Sequence, residues 1–320
     1  MKIAFVFPGQ GSQSVGMMQT FAQLPAVRET FREASDVVGE DLWKLVQSGP
    51  EVELNLTKNT QPVMLSADIA LYRAWCAEGG YEPAMAAGHS LGEYSALVAG
   101  GAIGFSDALA LVQFRAQAMQ EAAPGGAGAM AAVLGLEDDV VRAICIEASA
   151  GGEMVEAANF NSPAQVVIAG HRPAVDRAME IAKQKGAKRA ILLPMSVPSH
   201  CSLMRPAAER MRQRLESVSI GVSSMPVIHN ADVTSVESAA LIRDALIRQL
   251  YQPVRWVETV RAMVHAGATH MVECGPGRVL AGLNKRIAPE IPMYSFGDEP
   301  AFQLVLAALK QGENRCSMEK

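Results

Sequence analysis

One pentapeptide limits the folds open to this chain of 320 residues more than any other feature. Gly88-His89-Ser90-Leu91-Gly92 follows the short apolar run Met85–Ala87 directly and leads directly into a helical run over Leu91–Val98. A G-x-S-x-G pattern between a strand and a helix demands a sharp turn, and the glycines keep that turn uncrowded. The serine hydroxyl then stands at a helix N-terminus, where free N–H groups and the helix dipole favour developing negative charge. Ser90 reads as a nucleophile and the N–H of Leu91 as a first oxyanion donor. The alternative is an ordinary serine N-cap in a βα turn.

The surrounding pattern alternates strand and helix. Ile3–Phe7 reads as a buried strand followed at once by the loop 8–13. Helical patterns occupy 27–38, 62–78 (Thr60 as cap, Pro62 in the first turn) and Asp107–Ala122. Such alternation implies an α/β fold with a mostly parallel sheet. The stretch 126–197 differs, with strands Ala129–Leu134, Met154–Ala158, Gln165–Ala169 and Arg189–Leu193 around helices Glu137–Ala148 and Pro173–Lys185. That β-α-β-β-α-β order is the ferredoxin-like pattern. Alternation then resumes, from a helix over 203–216 to a strand over 291–295. The expected architecture is an α/β-hydrolase-like large domain, residues 1–125 and 198–320, carrying an inserted ferredoxin-like small domain, 126–197. The hinges are expected at 124–128 and Pro194–Pro198, and the polar tail Gly312–Lys320 is expected to fray.

Composition narrows the function. Hydrophobic residues are 49% and charged residues 19%, which suits a globular chain, and the net charge of −5 gives no reason to expect nucleic-acid binding. Cys76, Cys145, Cys201, Cys274 and Cys316 are scattered without a CxxC. That usage fits a reducing cytosol better than a disulfide framework or a structural zinc site. The apolar run at the N-terminus breaks at Pro8-Gly9, too early for a signal peptide, and no stretch suits a membrane span. A cytoplasmic protein is expected.

A serine nucleophile needs a base. His89 adjoins Ser90, but its side chain is expected to point away from the elbow; His171 and His265 read as helix residues without a catalytic part. His200 follows Val197-Pro198-Ser199, where the chain re-enters the large domain, and so faces the cleft. By position alone it is either the base or an ordinary capping or surface residue. No acidic orienter lies near it in sequence, so a backbone carbonyl accepting its Nδ1–H would complete a dyad. Arg115, on the apolar helical run LALVQFRAQAM, reads by itself as a snorkelling residue at the helix surface.

Several motifs share one order and spacing: FPGQGSQ at 7–13, NTQP at 59–62, GHSLGEYSAL at 88–97 and QFRAQAMQ around Arg115. GAMAAV at 128–133, NFNSP at 159–163, VPSH at 197–200, QLYQPVRW at 249–256 and ECGPGRVL at 273–280 continue the series. Together they make the chain resemble, from Met1 to about residue 310, the malonyl-CoA:acyl carrier protein transacylases of bacterial type II fatty acid synthesis. The resemblance implies Ser90 as nucleophile and His200 as base. It implies the backbone N–H groups of Gln10 and Leu91 as oxyanion hole, the main-chain carbonyl of Gln249 as orienter of His200, and Arg115 as holder of the malonyl carboxylate. It also implies malonyl-CoA, coenzyme A and an acidic acyl carrier protein as partners, a monomer, and no cofactor or metal. Ala164 and Arg278 depart from residues common in the family, glycine and lysine, and neither touches the proposed chemistry.

Two enzymatic alternatives stand beside this one. One is a related acyltransferase of polyketide synthesis or malonate decarboxylation. The other is a thioesterase-like α/β-hydrolase, for which Ser90, Asp232 and His270 fall in the required chain order. For an acidic carrier, the candidate docking cations are Lys183, Lys185, Lys188 and Arg189 on the small domain and Arg278, Lys285 and Arg286 on the large one.

Overall fold

The computed structural model describes residues 1–195 and 197–309. The tail Gly312–Lys320, and Ser196 in the second expected hinge, lie outside the described residues.

Strand β1 (Ile3–Phe7) is apolar and buried at every position, as a strand covered on both faces must be. Next come α1 (Pro25–Val38), α2 (Leu42–Ser48), α3 (Glu51–Leu54), α4 (Thr57–Ala77), β2 (Met85–Gly88), α5 (Gly92–Ala99) and α6 (Phe105–Ala122). A second block holds β3 (Gly128–Leu134), α7 (Asp138–Ala148), β4 (Val155–Ser162), β5 (Gln165–His171), α8 (Arg172–Gln184) and β6 (Arg189–Leu192). The third block runs through α9 (Arg205–Glu216), β7 (Val227–Ile228), α10 (Ala239–Gln249), α11 (Trp256–His265), β8 (His270–Glu273), α12 (Val279–Ile287), β9 (Met293–Ser295) and α13 (Glu299–Leu309).

Two separate sheets result. The larger is parallel, in the order β7-β2-β1-β8-β9; the smaller is antiparallel, in the order β4-β5-β3-β6. The element order expected for 126–197 is therefore present as β3-α7-β4-β5-α8-β6. Alternate side chains of β1 serve opposite faces, as the two-residue strand period dictates. Ile3, Phe5 and Phe7 join the cluster containing Phe31, Leu71 and Trp75, while Ala4 and Val6 join Trp256, Val260 and Leu280. Phe5 anchors the first cluster through edge contacts with Tyr72, Trp75 and Phe296.

The antiparallel sheet has one face covered by α7 and α8, where Val133, Val166 and Ile168 pack on Val141, Ile144 and Val175. Its other face carries Met130, Val167 and Ala169 toward Cys201. That second face positions the site, because Met130 and Val167 also line the cavity around Ser90.

Local expectations needed correction at three places. Helix α4 begins at Thr57, so Pro62 lies inside it. Thr60 does not cap; its hydroxyl donates to the carbonyls of Leu54 and Leu56, at 2.6 and 3.1 Å. The short helices α2 and α3 and the terminal α13 were not anticipated. Among the described residues no helix is long and apolar enough to cross a membrane. Cys145, Cys201 and Cys274 are buried free thiols.

Candidate active site

Strand β2 ends at Gly88 and α5 begins at Gly92, so the chain must turn within three residues. Ser90 sits at the apex with φ +53°, a left-handed conformation that non-glycine residues adopt at a cost. The turn is held by His89 N–H donating to the Phe7 carbonyl at 2.9 Å and Gly92 N–H to the His89 carbonyl at 3.0 Å. A Cβ at Gly92 would overlap the Phe7 carbonyl, and one at Gly9 would overlap the His89 carbonyl. The missing side chains thus let the loop after β1 lie directly against the elbow. Gln10 and Leu91 line, with Ser90, Arg115 and His200, a cavity of about 130 Å³. The Gln10 side chain turns aside to donate to the Thr57 hydroxyl at 3.3 Å.

His200 reaches Ser90 directly, its Nε2 lying 2.7 Å from Oγ. Its Nδ1 lies 2.8 Å from the main-chain oxygen of Gln249. A carbonyl can only accept, so Nδ1 carries the hydrogen and Nε2 presents its lone pair to the serine. Burial, and then the nearby Arg115 charge, push the imidazole down to about 3, which keeps it neutral. The backbone of His200 is left-handed as well, at φ +63°, and its N–H donates to the Leu250 carbonyl at 3.0 Å. Both catalytic candidates and the carbonyl assigned to orient the base are therefore brought together.

Arg115 is 1% exposed, which settles the choice between a snorkelling and a buried residue. Its Nη2 donates to Ser90 Oγ at 3.2 Å and to Gln249 Oε1 at 3.0 Å, while its Nε has no hydrogen-bond partner among the described residues. Its guanidinium lies 5.8 Å from the Tyr94 ring centroid. No carboxylate pairs with it among the described residues, and burial lowers its affinity for its proton. A buried guanidinium beside a serine hydroxyl, with an unfilled donor, can receive an anion.

A buried polar network lies beneath these residues. Asn230 Oδ1 accepts from Ser90 N–H at 2.7 Å, and its Nδ2 donates to the Gly88 carbonyl at 2.6 Å. Glu93 is fully buried on α5; Oε1 lies 2.7 Å from His229 Nδ1, and Oε2 accepts from Asn230 N–H at 2.9 Å. Gln249 Nε2 donates both to Glu93 Oε2 at 3.0 Å and to the Ser90 carbonyl at 2.9 Å. Sequence reading missed Glu93, His229 and Asn230. A signal existed: Glu93 is the one charged residue of an otherwise apolar helix, and His229-Asn230 follow the carboxyl end of a parallel strand, where such sheets build sites.

The remaining candidates separate clearly. His89 lines the cavity, with Nε2 2.8 Å from Asn161 Oδ1 and its ring 5.4 Å from Trp256, and no side-chain hydrogen bond joins it to Ser90 among the described residues. His171 Nδ1 accepts from Met154 N–H at 3.0 Å, and His265 closes α11. Asp232 is ion-paired with Arg248, while His270 stacks on Tyr294, and no hydrogen bond joins either to Ser90 among the described residues. Of the docking candidates, Lys183 pairs with Glu180 at 2.6 Å, Lys185 with Glu147 at 2.7 Å, and Arg278 approaches Asp298 at 4.0 Å. Arg286 donates to Gln165 Oε1 at 2.8 Å, joining α12 to β5. Lys188, Arg189 and Lys285 are exposed and make no ion pair among the described residues. No group of three or more His, Cys, Asp or Glu among the described residues is arranged to hold a metal ion.

Comparison with known proteins places this geometry in context. The acyl transferase domain family matches residues 4–287. The malonyl CoA-acyl carrier protein transacylase of Escherichia coli K12 is 52% identical over 306 residues, 95% of this chain and 99% of the relative. That of Bacillus subtilis is 42% identical over 97% of this chain and 98% of its own length. Among solved structures, an acyl-carrier-protein S-malonyltransferase from Burkholderia pseudomallei superposes with a TM-score of 0.94 at 57% identity, covering 96% of this chain and all of its own. A malonyl-transacylase in complex with a type II polyketide synthase acyl-carrier protein superposes with a TM-score of 0.95 at 50% identity, over 96% of this chain and all of its own.

Proposed function

The chain belongs to the acyl transferase domain family, and from that premise we infer that it transfers the malonyl group of malonyl-CoA to acyl carrier protein. The observation that carries the reading is the buried Arg115, paired with no carboxylate among the described residues and lying 3.2 Å from the Ser90 hydroxyl.

Ser90 attacks the thioester carbonyl as His200 Nε2 takes its proton. The oxyanion is received by the N–H groups of Gln10 and Leu91, and the tetrahedral intermediate collapses with cleavage of the C–S bond, the leaving coenzyme A sulfur taking the proton from His200. The malonyl carboxylate occupies the free face of Arg115. The phosphopantetheine thiol of the carrier then gives its proton to the neutral His200 and attacks the malonyl-serine ester; the ester C–O bond breaks and the Ser90 oxygen leaves, taking that proton back from His200. Two displacements through one covalent intermediate give ping-pong kinetics. One thioester is exchanged for another of similar energy, so the reaction runs freely in both directions. The Gln249 carbonyl, charge-free, takes the part of the acidic orienter found in triads.

The finer description of the fold belongs to this reading: a hydrolase-like domain over 1–125 and 198–320, and a ferredoxin-like unit over 126–197. The strand order β4-β5-β3-β6, antiparallel throughout, supports the latter. A cytoplasmic monomer acting without cofactor completes it. A polyketide carrier as acceptor is a second reading, favoured by the solved relative that holds one. The test is direct: incubation with malonyl-CoA, a quench, and peptide mass spectrometry. A malonyl adduct on Ser90 is expected, and an unmodified Ser90 overturns the reading.

A further inference from the structure

We propose that Glu93 is the buried counter-charge of Arg115, acting through the side-chain amide of Gln249, and that this relay sets how strongly the pocket holds a substrate carboxylate. The inference rests on Arg115 being the carboxylate site. Gln249 Oε1 accepts from Arg115 Nη2 at 3.0 Å, and Gln249 Nε2 donates to Glu93 Oε2 at 3.0 Å. One amide therefore joins a buried cation to a buried anion, and neither side chain is more than 1% exposed.

The interposed amide has a physical purpose. A fully buried guanidinium without any compensating anion is costly, whereas a carboxylate bound directly to it would occupy the donors that substrate needs. Glu93 at one remove supports the cation and leaves Arg115 Nε without a partner among the described residues. The same Gln249 gives its main-chain oxygen to His200 Nδ1 at 2.8 Å, so the residue that orients the base also anchors the anion-binding group. Glu93 is thereby a positioning residue that does not touch the substrate.

Glu93→Gln keeps the hydrogen-bond inventory. The new amide oxygen can accept from Asn230 N–H and Gln249 Nε2, and the new NH₂ can donate to His229 Nδ1 in its other tautomer. Only the negative charge is removed, and with it the repulsion felt by an incoming carboxylate. Binding is measured by calorimetry in a Ser90→Ala background, which forms no acyl-enzyme, with malonyl-CoA and acetyl-CoA compared. The ratio of their dissociation constants isolates the carboxylate. Glu93→Gln is expected to raise the malonyl preference about tenfold, the order of coupling between unit charges at this remove in a protein interior. Gln249→Met cuts the relay and frees Arg115, and is expected to lower the preference by a similar factor. Opposite signs from two neighbouring substitutions are not what simple loss of packing produces. An unchanged or lowered preference in Glu93→Gln overturns the proposal, including the case where His229 already neutralises Glu93. Should Glu93→Gln fail to fold, an unchanged preference in Gln249→Met overturns it equally. Arg115→Ala is the separating control. If it leaves the preference intact, the carboxylate site itself is wrong; if it abolishes the preference while Glu93→Gln has no effect, only the relay fails.

Discussion

His200 Nε2 lies 2.7 Å from Ser90 Oγ, and both residues hold a left-handed backbone, at φ +63° and +53°. Each such residue costs on the order of 1 kcal/mol or more and persists only where the surroundings over-determine it. Here they do. The Ser90 N–H is fixed by Asn230 and the His200 N–H by the Leu250 carbonyl. The pair is thus aligned by its backbone before any substrate arrives.

From that alignment follows the first prediction. Ser90→Ala is expected to abolish the covalent malonyl adduct. His200→Ala is expected to slow acylation at least about a thousandfold while leaving a residual rate from the oxyanion hole and binding. Single-turnover acylation measures both, and a normal rate in His200→Ala removes the histidine from its role.

The imidazole's environment gives a second. Burial, followed by the Arg115 charge, holds His200 at about 3, below the ordinary 6.5. In Arg115→Gln, with acetyl-CoA as substrate, the acid limb of the acylation profile is expected to move to higher pH, because the repelling cation is gone. The stability consequence has the matching sign. Unfolded chains bind the proton below 6.5 and the folded chain only near 3, so His200 contributes stability above 6.5 that is lost as pH falls through that window. Denaturant titrations of wild type and His200→Asn at neutral and acid pH should converge as pH drops.

Specificity supplies a third. Arg115→Ala is expected to lose malonyl transfer at least about a hundredfold more than acetyl transfer, the scale of a shielded charge-assisted contact. Equal losses for the two substrates would return Arg115 to a packing role.

The elbow itself can be tested for its geometry. A Cβ at Gly92 has no room against the Phe7 carbonyl, and both atoms belong to backbone that cannot swing aside. Gly92→Ala is expected to cost at least about 2 kcal/mol by overpacking, read as a lowered denaturation midpoint. A neutral substitution would mean that the elbow can open.

How much of this was legible follows from what each residue needed. Ser90 was visible because an elbow writes itself into contiguous sequence: apolar strand, two glycines, apolar helix. His200, Arg115 and the carbonyl of Gln249 were assigned roles through family motifs, since the 110-residue separation of Ser90 and His200 leaves their meeting to the whole fold. The network of Glu93, His229 and Asn230 was missed for the same reason: His229 and Asn230 meet Glu93 of α5 across separations of 136 and 137 residues. The ring partner of His89 was equally hidden, because adjacency to Ser90 says nothing of Asn161, which arrives on β4 to meet it. Among the elements, α2 and α3 are too short to show a periodicity, and Pro62 drew the start of α4 too late.

The last prediction concerns the carrier. An acidic carrier approaching a chain of net charge −5 must be attracted locally. The ion pairs of Lys183 and Lys185 with Glu180 and Glu147 already offset two of the expected cations, and Asp298 offsets Arg278 in part. Lys188 and Arg189 at the start of β6 and Lys285 and Arg286 at the end of α12 are then the expected cations left without an ion pair among the described residues. Arg286 also bridges to Gln165 on β5, which fixes its position between the two sheets' elements without neutralising its charge. Complementary fields of this kind chiefly raise the association rate and are screened by salt. Lys285→Glu combined with Arg286→Glu is therefore expected to slow the carrier half-reaction several-fold at low salt, with acylation by malonyl-CoA much less affected. The deficit is expected to shrink as ionic strength rises, because what was lost is the part that salt removes from wild type. Stopped-flow measurement of the two half-reactions across a salt series reads both. Unchanged carrier kinetics, or an equal loss in both halves, would make this end of α12 an ordinary solvated surface.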